Sequence, residues 1–109
     1  MKEKIVMAVR ELIEGQKGYL NYLEESFDFI SNRDTTRKSE IEHLLDIVLN
    51  MFQTNETLDL YIRICSYYHA IDRENAMEYA QFYLDMYDDD RVIREIMKIE
   101  KEIKVYAKK

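Results

Sequence analysis

Cys65 and His69 stand four residues apart within YIRICSYYHAIDRENAMEYAQFYLDMYDDD, residues 61–90. That spacing stacks a thiol and an imidazole on one helical face. Such a pair can offer two ligands to zinc or set a thiol beside its base. A structural zinc site needs four donors, and no second Cys or His lies nearby in sequence. The expectation is therefore a buried thiol acting as a small apolar side chain. Glu40 and His43 form a Glu-x-x-His step, which di-iron bundles use twice. The second copy is missing, because Ser66 stands three residues before His69. Asp88, Asp89 and Asp90 lack the alternating ligands, glycine and terminal Glu of an EF-hand loop, and read as a capped acidic turn. There is no glycine-rich phosphate loop and no nucleophile–base arrangement. These patterns predict a protein that is not an enzyme and holds no metal or cofactor.

The elements that carry these residues are helical. The 109-residue chain has no proline and two glycines, Gly15 and Gly18, whereas sheets and phosphate loops need such residues at their turns. Its length fits one domain over residues 1–109. Helix 1 is predicted over about Lys2 to Ile30. Ile5, Val9, Leu12, Tyr19, Leu23 and Ile30 keep one seven-residue repeat, interrupted by Gln16 and Ser26. That phase passes unbroken through both glycines, which favours one long helix of ~45 Å.

The polar stretch SNRDTTRKS is the first linker. Ser39 and Glu42 have capping-box spacing, and Asp34, Thr35 or Thr36 can cap an earlier start. Helix 2 places Ile41, Leu44, Leu45, Val48 and Phe52 on one face. Thr54 or Asn55 caps helix 3, with Leu58, Tyr61, Ile62, Cys65, Tyr68 and Ile71 on its apolar side. Asp72 opens helix 4, where Ala76, Met77, Ala80, Tyr83, Leu84 and Tyr87 align. Helix 5 runs from about Arg91 to Tyr106 on Val92, Ile96, Ile99, Ile103 and Tyr106. Short links between long helices predict antiparallel neighbours, in an all-α bundle or short solenoid of about five helices.

The net charge of −6 is unevenly spread. Residues 1–38 balance, residues 39–90 carry −10, and residues 91–109 carry +4. An acidic block favours partners with basic surfaces and disfavours nucleic acid. Arg94, Lys98, Lys101, Lys104, Lys108 and Lys109 form a basic stripe on helix 5. Glu95, Glu100 and Glu102 dilute it, so it reads as a solvated face. The short apolar run at the N-terminus lacks the length and cleavage site of a signal peptide, and no segment approaches the ~20 apolar residues of a membrane span. One cysteine cannot form an internal disulfide. The expectation is a cytoplasmic protein with no membrane partner.

Tyr67, Asp72, Ala76, Glu78, Tyr79 and Leu84 fall where a tetratricopeptide repeat has its tyrosine, turn aspartate, small alanine and second-helix residues. Residues 60–90 thus resemble a single degenerate helix pair of that family. Ile64 stands where the family prefers glycine, Tyr83 where it prefers alanine, and Asp88 where it usually has proline. No second copy is legible, although repeat arrays generally need about three. The resemblance implies a peptide-holding groove lined by Leu58, Tyr61, Cys65, Tyr68 and His69, as in a small chaperone or adaptor.

The six tyrosines of residues 61–90 are too many to point into one small core. Tyrosine is enriched at binding hot spots, where its ring buries area and its hydroxyl makes a directional bond. The leading expectation is a protein-binding module that neutralises a basic partner, as immunity proteins and small inhibitors do. Asp72, Glu74, Glu78, Asp85, Asp88, Asp89 and Asp90 would steer the partner, and Tyr67, Tyr68, Tyr79, Tyr83 and Tyr87 would anchor it. A homo-oligomeric structural protein and, last, nucleic-acid binding through helix 5 are the remaining classes.

Overall fold

The computed structural model describes residues 2–33 and 37–107. Their regular structure is entirely α-helical, in five helices: α1 (Lys2–Ser31), α2 (Lys38–Leu49), α3 (Asn55–Ile71), α4 (Arg73–Tyr87) and α5 (Arg91–Ala107). Contacts within the chain divide it into two compact units, Met1–Leu58 and Asp59–Lys109. The boundary falls inside α3.

In the first unit α1 and α2 pack together. α1 is one unbroken helix, and neither glycine takes a positive φ. Leu20, Leu23, Phe27 and Ile30 are buried, and Val9, Ile13 and Gln16 continue the same seam half-buried. The predicted seven-residue repeat straddles this seam instead of following it. Val9, Gln16, Leu23 and Ile30 turn inward, while Ile5, Leu12 and Tyr19 are exposed. The cause is a very wide apolar arc on α1, which offers two overlapping stripes of equal period.

Gln16 interrupts the seam for a reason. Its amide donates to Phe52 O at 2.6 Å and accepts from Phe52 N at 3.1 Å, satisfying backbone groups just past the end of α2. Phe52, expected in the core of helix 2, lies beyond that helix with its ring exposed. The other predicted residues of α2, Ile41, Leu44, Leu45 and Val48, are buried. Its start differs from expectation. Arg37 occupies the N-cap without a side-chain bond, so Ser39 lies inside the helix and the capping box is not formed. Asp34, Thr35 and Thr36 lie outside the described residues. At the head of α3 the hydroxyls of Thr54 and Thr57 each accept from the other's backbone N–H, at 3.2 and 2.8 Å. This closes the helix end reciprocally and confirms Thr54 as the cap.

In the second unit α3, α4 and α5 alternate in direction. Tyr61 meets Tyr83 and Tyr68 meets Tyr79, so α4 descends as α3 rises. Ala76 and Ala80 are fully buried and let backbones approach. Val92 and Ile96 anchor α5, while Ile71 and Ile103, both expected inside, are exposed at helix ends. Asp72 caps α4 by accepting from Asn75 N at 3.2 Å. Asp88 closes the helix in the left-handed region at φ 52, where Asp is one of the few tolerated residues.

Candidate protein-binding surface

The tyrosines expected to face a partner mostly face inward. Tyr68, Tyr79 and Tyr83 are 0, 8 and 2% exposed, and only Tyr67 and Tyr87 are half-buried. They form the aromatic interior between α3 and α4. Tyr61 and Tyr83 lie 5.0 Å apart by ring centroid, Tyr83 and Tyr87 lie 4.9 Å apart, and Tyr68 meets Tyr79 edge-on. The Tyr61 hydroxyl donates to Tyr79 O at 2.6 Å, so its polar end is satisfied inside. Burial, and secondarily the charge of Asp89, pushes the Tyr83 phenol up to about 12. Rings can all be accommodated because the alanines of α4 leave space for them.

The groove implied by the repeat resemblance is not open either. Leu58, Tyr61, Cys65, Tyr68 and His69 are all buried, at 5% exposure or less. Bulk at Ile64 and Tyr83 is absorbed in the interior, where both are buried. Cys65 is a free thiol whose pKa is pushed upward by burial, which leaves it unreactive.

His69 turns to α5 and not to Cys65. Its Nε2 lies 2.6 Å from Glu100 Oε1, and Arg73 Nε donates to the same oxygen. The Arg73 guanidinium, then His69, hold the Glu100 carboxyl down to about 2. This three-helix clasp was missed because Glu100 was read with the solvated charges of helix 5. The available signal was its position four residues after Ile96, on the apolar stripe, opposite a histidine on the apolar stripe of helix 3. Glu40 pairs with Arg33, and His43 is exposed, so the Glu-x-x-His step is not assembled into a site. Among the described residues, no group of three or more His, Cys, Asp or Glu could hold a metal ion.

The acidic turn is partly neutralised by its own neighbours. Asp89 binds the Arg91 guanidinium at 2.6–3.1 Å and accepts from Arg91 N at 3.0 Å, which holds its carboxyl below the usual range. Asp90 pairs with Arg94 at 3.1 Å. Together with Leu84, Tyr87 and Asp88 these residues line a shallow groove of about 590 Å³. Asp72, committed to its cap, also leaves the steering set.

What remains outside is the far face of α4. Glu74, Glu78, Asp85 and Asp88 are exposed there. Between them lie Phe82 and Met86, 46 and 53% exposed, one helical turn apart. Tyr79 supports Phe82 from below, edge to face at 5.4 Å. The sequence signal for this patch was two large apolar residues at i, i+4 off the stripe that carries Ala76, Ala80 and Tyr83.

No family model matches this chain, and neither the curated proteins nor the solved structures give a match. The likeness of residues 60–90 to a tetratricopeptide helix pair therefore rests on the residues quoted for it. No described helix is long and apolar enough to cross a membrane.

Proposed function

We propose that this chain is a non-enzymatic module that binds a protein of basic surface on the outer face of α4 and neutralises it by covering that surface. The observation that carries this reading is the pairing of exposed Phe82 and Met86 with Glu74, Glu78 and Asp85 around them. Carboxylates at the rim draw in a cationic partner and exclude anionic ones, while apolar side chains at the centre supply the desolvated contact. Methionine suits this role because its flexible thioether adapts to an uneven surface. The anchors thus differ from the tyrosines favoured by the sequence. The acidic character of the surface is kept.

The test is capture of the partner from the source cell with the wild-type chain, alongside Phe82→Ala/Met86→Ala and Glu78→Lys/Asp85→Lys variants. Both variants change only exposed positions, so helicity should be retained. The reading expects a basic protein on the wild type and its loss from each variant. An acidic partner, or one retained by both variants, would refute it.

A further inference from the structure

α1 carries a second apolar stripe that is exposed among the described residues. Ile5, Leu12, Tyr19, Tyr22 and Phe29 are 65, 59, 47, 62 and 67% exposed, and their spacing of 7, 7, 3 and 7 keeps them on one side of the helix. Tyr19 and Tyr22 stack on each other at 6.2 Å, and Arg33 lies over the Phe29 ring at its end. Between them lie the small residues Ala8, Gly15 and Ser26, the last with its hydroxyl bonded to Tyr22 O, with Lys4 and Glu11 along one edge.

Gly15 adds an independent observation. A Cβ built there meets nothing within 4 Å, and its φ is not positive. Nothing among the described residues of one copy asks for glycine, although glycine weakens a helix interior.

We infer that the outer stripe of α1 is the seat of a second copy of this chain, packed antiparallel about a two-fold axis near residue 17. The stripe is self-complementary in that register. Gly15 receives Tyr19 of the second copy, Leu12 meets Tyr22, Ala8 meets Ser26 and Ile5 meets Phe29, each contact occurring twice as an isologous interface requires. Large side chains meet small ones at the centre, which is what close helix packing needs. A groove of about 400 Å³ lined by Tyr22, Glu25, Ser26, Phe29, Ile30 and Glu40 adjoins this stripe and leaves room for side chains of the second copy.

The area is also sufficient. An aromatic side chain can bury ~150–250 Å², so three half-exposed rings with Ile5 and Leu12 supply on the order of 400 Å² per copy. Doubling that and adding the small residues and rim reaches ~1,200 Å², the lower end of specific interfaces. An interface of that size belongs to the weak, transient class, so the dimer exchanges with monomer. It rests on α1 alone and stands whether or not the α4 face binds a partner.

The experiment is sedimentation of the full chain up to about 1 mM, high enough to populate a weak dimer. The wild type should show a monomer–dimer equilibrium, and Leu12→Asp/Tyr22→Asp should weaken it at least ~tenfold with helicity unchanged. A short bis-maleimide should cross-link Gly18→Cys, near the axis, and fail on Lys4→Cys, whose two copies lie ~39 Å apart in this register. Cys65 is buried and common to both variants. A monomer at every concentration, a dimer untouched by the double variant, or equal cross-linking at Lys4→Cys would each overturn the inference.

Discussion

His69 Nε2 lies 2.6 Å from Glu100 Oε1, with both residues buried, and Arg73 closes on the same oxygen. Three helices of the second unit thus meet on one carboxylate oxygen. Since that carboxyl is held at about 2, it is ionised at neutral pH, and the ring nitrogen facing it must be the donor.

The clasp should shape acid unfolding. A carboxyl whose folded pKa is depressed contributes stability that is fully present above its ordinary value of 4.5 and is lost as pH falls toward about 2. Glu100→Gln should be less stable than wild type at pH 7, and the difference should shrink between pH 4.5 and 2. Thermal melts across that window check it, with Glu78→Gln as an exposed control that leaves the profile unchanged.

The buried phenol of Tyr61 tests hydrogen bonding inside the second unit, where its hydroxyl also meets the Cys65 thiol. Tyr61→Phe removes the 2.6 Å bond to Tyr79 O and keeps the ring packed against Tyr83. A loss of about 1 kcal/mol in chemical denaturation is expected, the usual net worth of a buried hydrogen bond.

Much of the architecture was readable because helical periodicity is redundant along a chain. Five helices and the buried Ile41, Leu44, Leu45 and Val48 of α2 follow from spacing. What spacing could not decide was which of two equally apolar stripes on α1 is covered, or which way the tyrosines of α3 and α4 face. Those outcomes depend on the partner helix. Ala76 and Ala80 make room for rings that a larger residue would have expelled, and nothing local to Tyr68 or Tyr83 records that. Glu100 shows the same limit, since a carboxylate's burial depends on Arg73, 27 positions away.

Asp72 separates capping from recognition. Asp72→Ala should cost about 1 kcal/mol of stability through loss of the cap to Asn75 N. Partner affinity at a temperature where the variant stays folded should match wild type, because the carboxylate is engaged at the helix start.

Gly18 lies in open space on the unbroken α1. Gly18→Ala should stabilise the chain by about 0.5–1 kcal/mol, as expected for removing glycine from a helix interior. Denaturant titration at low protein concentration reads this without contribution from self-association.

The central claim is recognition of a basic protein by the acidic, Phe82- and Met86-centred face of α4. Its most direct measurement is the association rate of the captured partner as ionic strength is raised from about 20 to 500 mM, a range over which screening shortens from ~20 to ~4 Å. The rate should fall by at least ~tenfold for the wild type, and Glu78→Lys/Asp85→Lys should start slower and vary less. Phe82→Ala/Met86→Ala should instead leave the rate nearly intact and speed dissociation. A rate indifferent to salt, with dissociation unaffected by loss of Phe82 and Met86, would contradict the account.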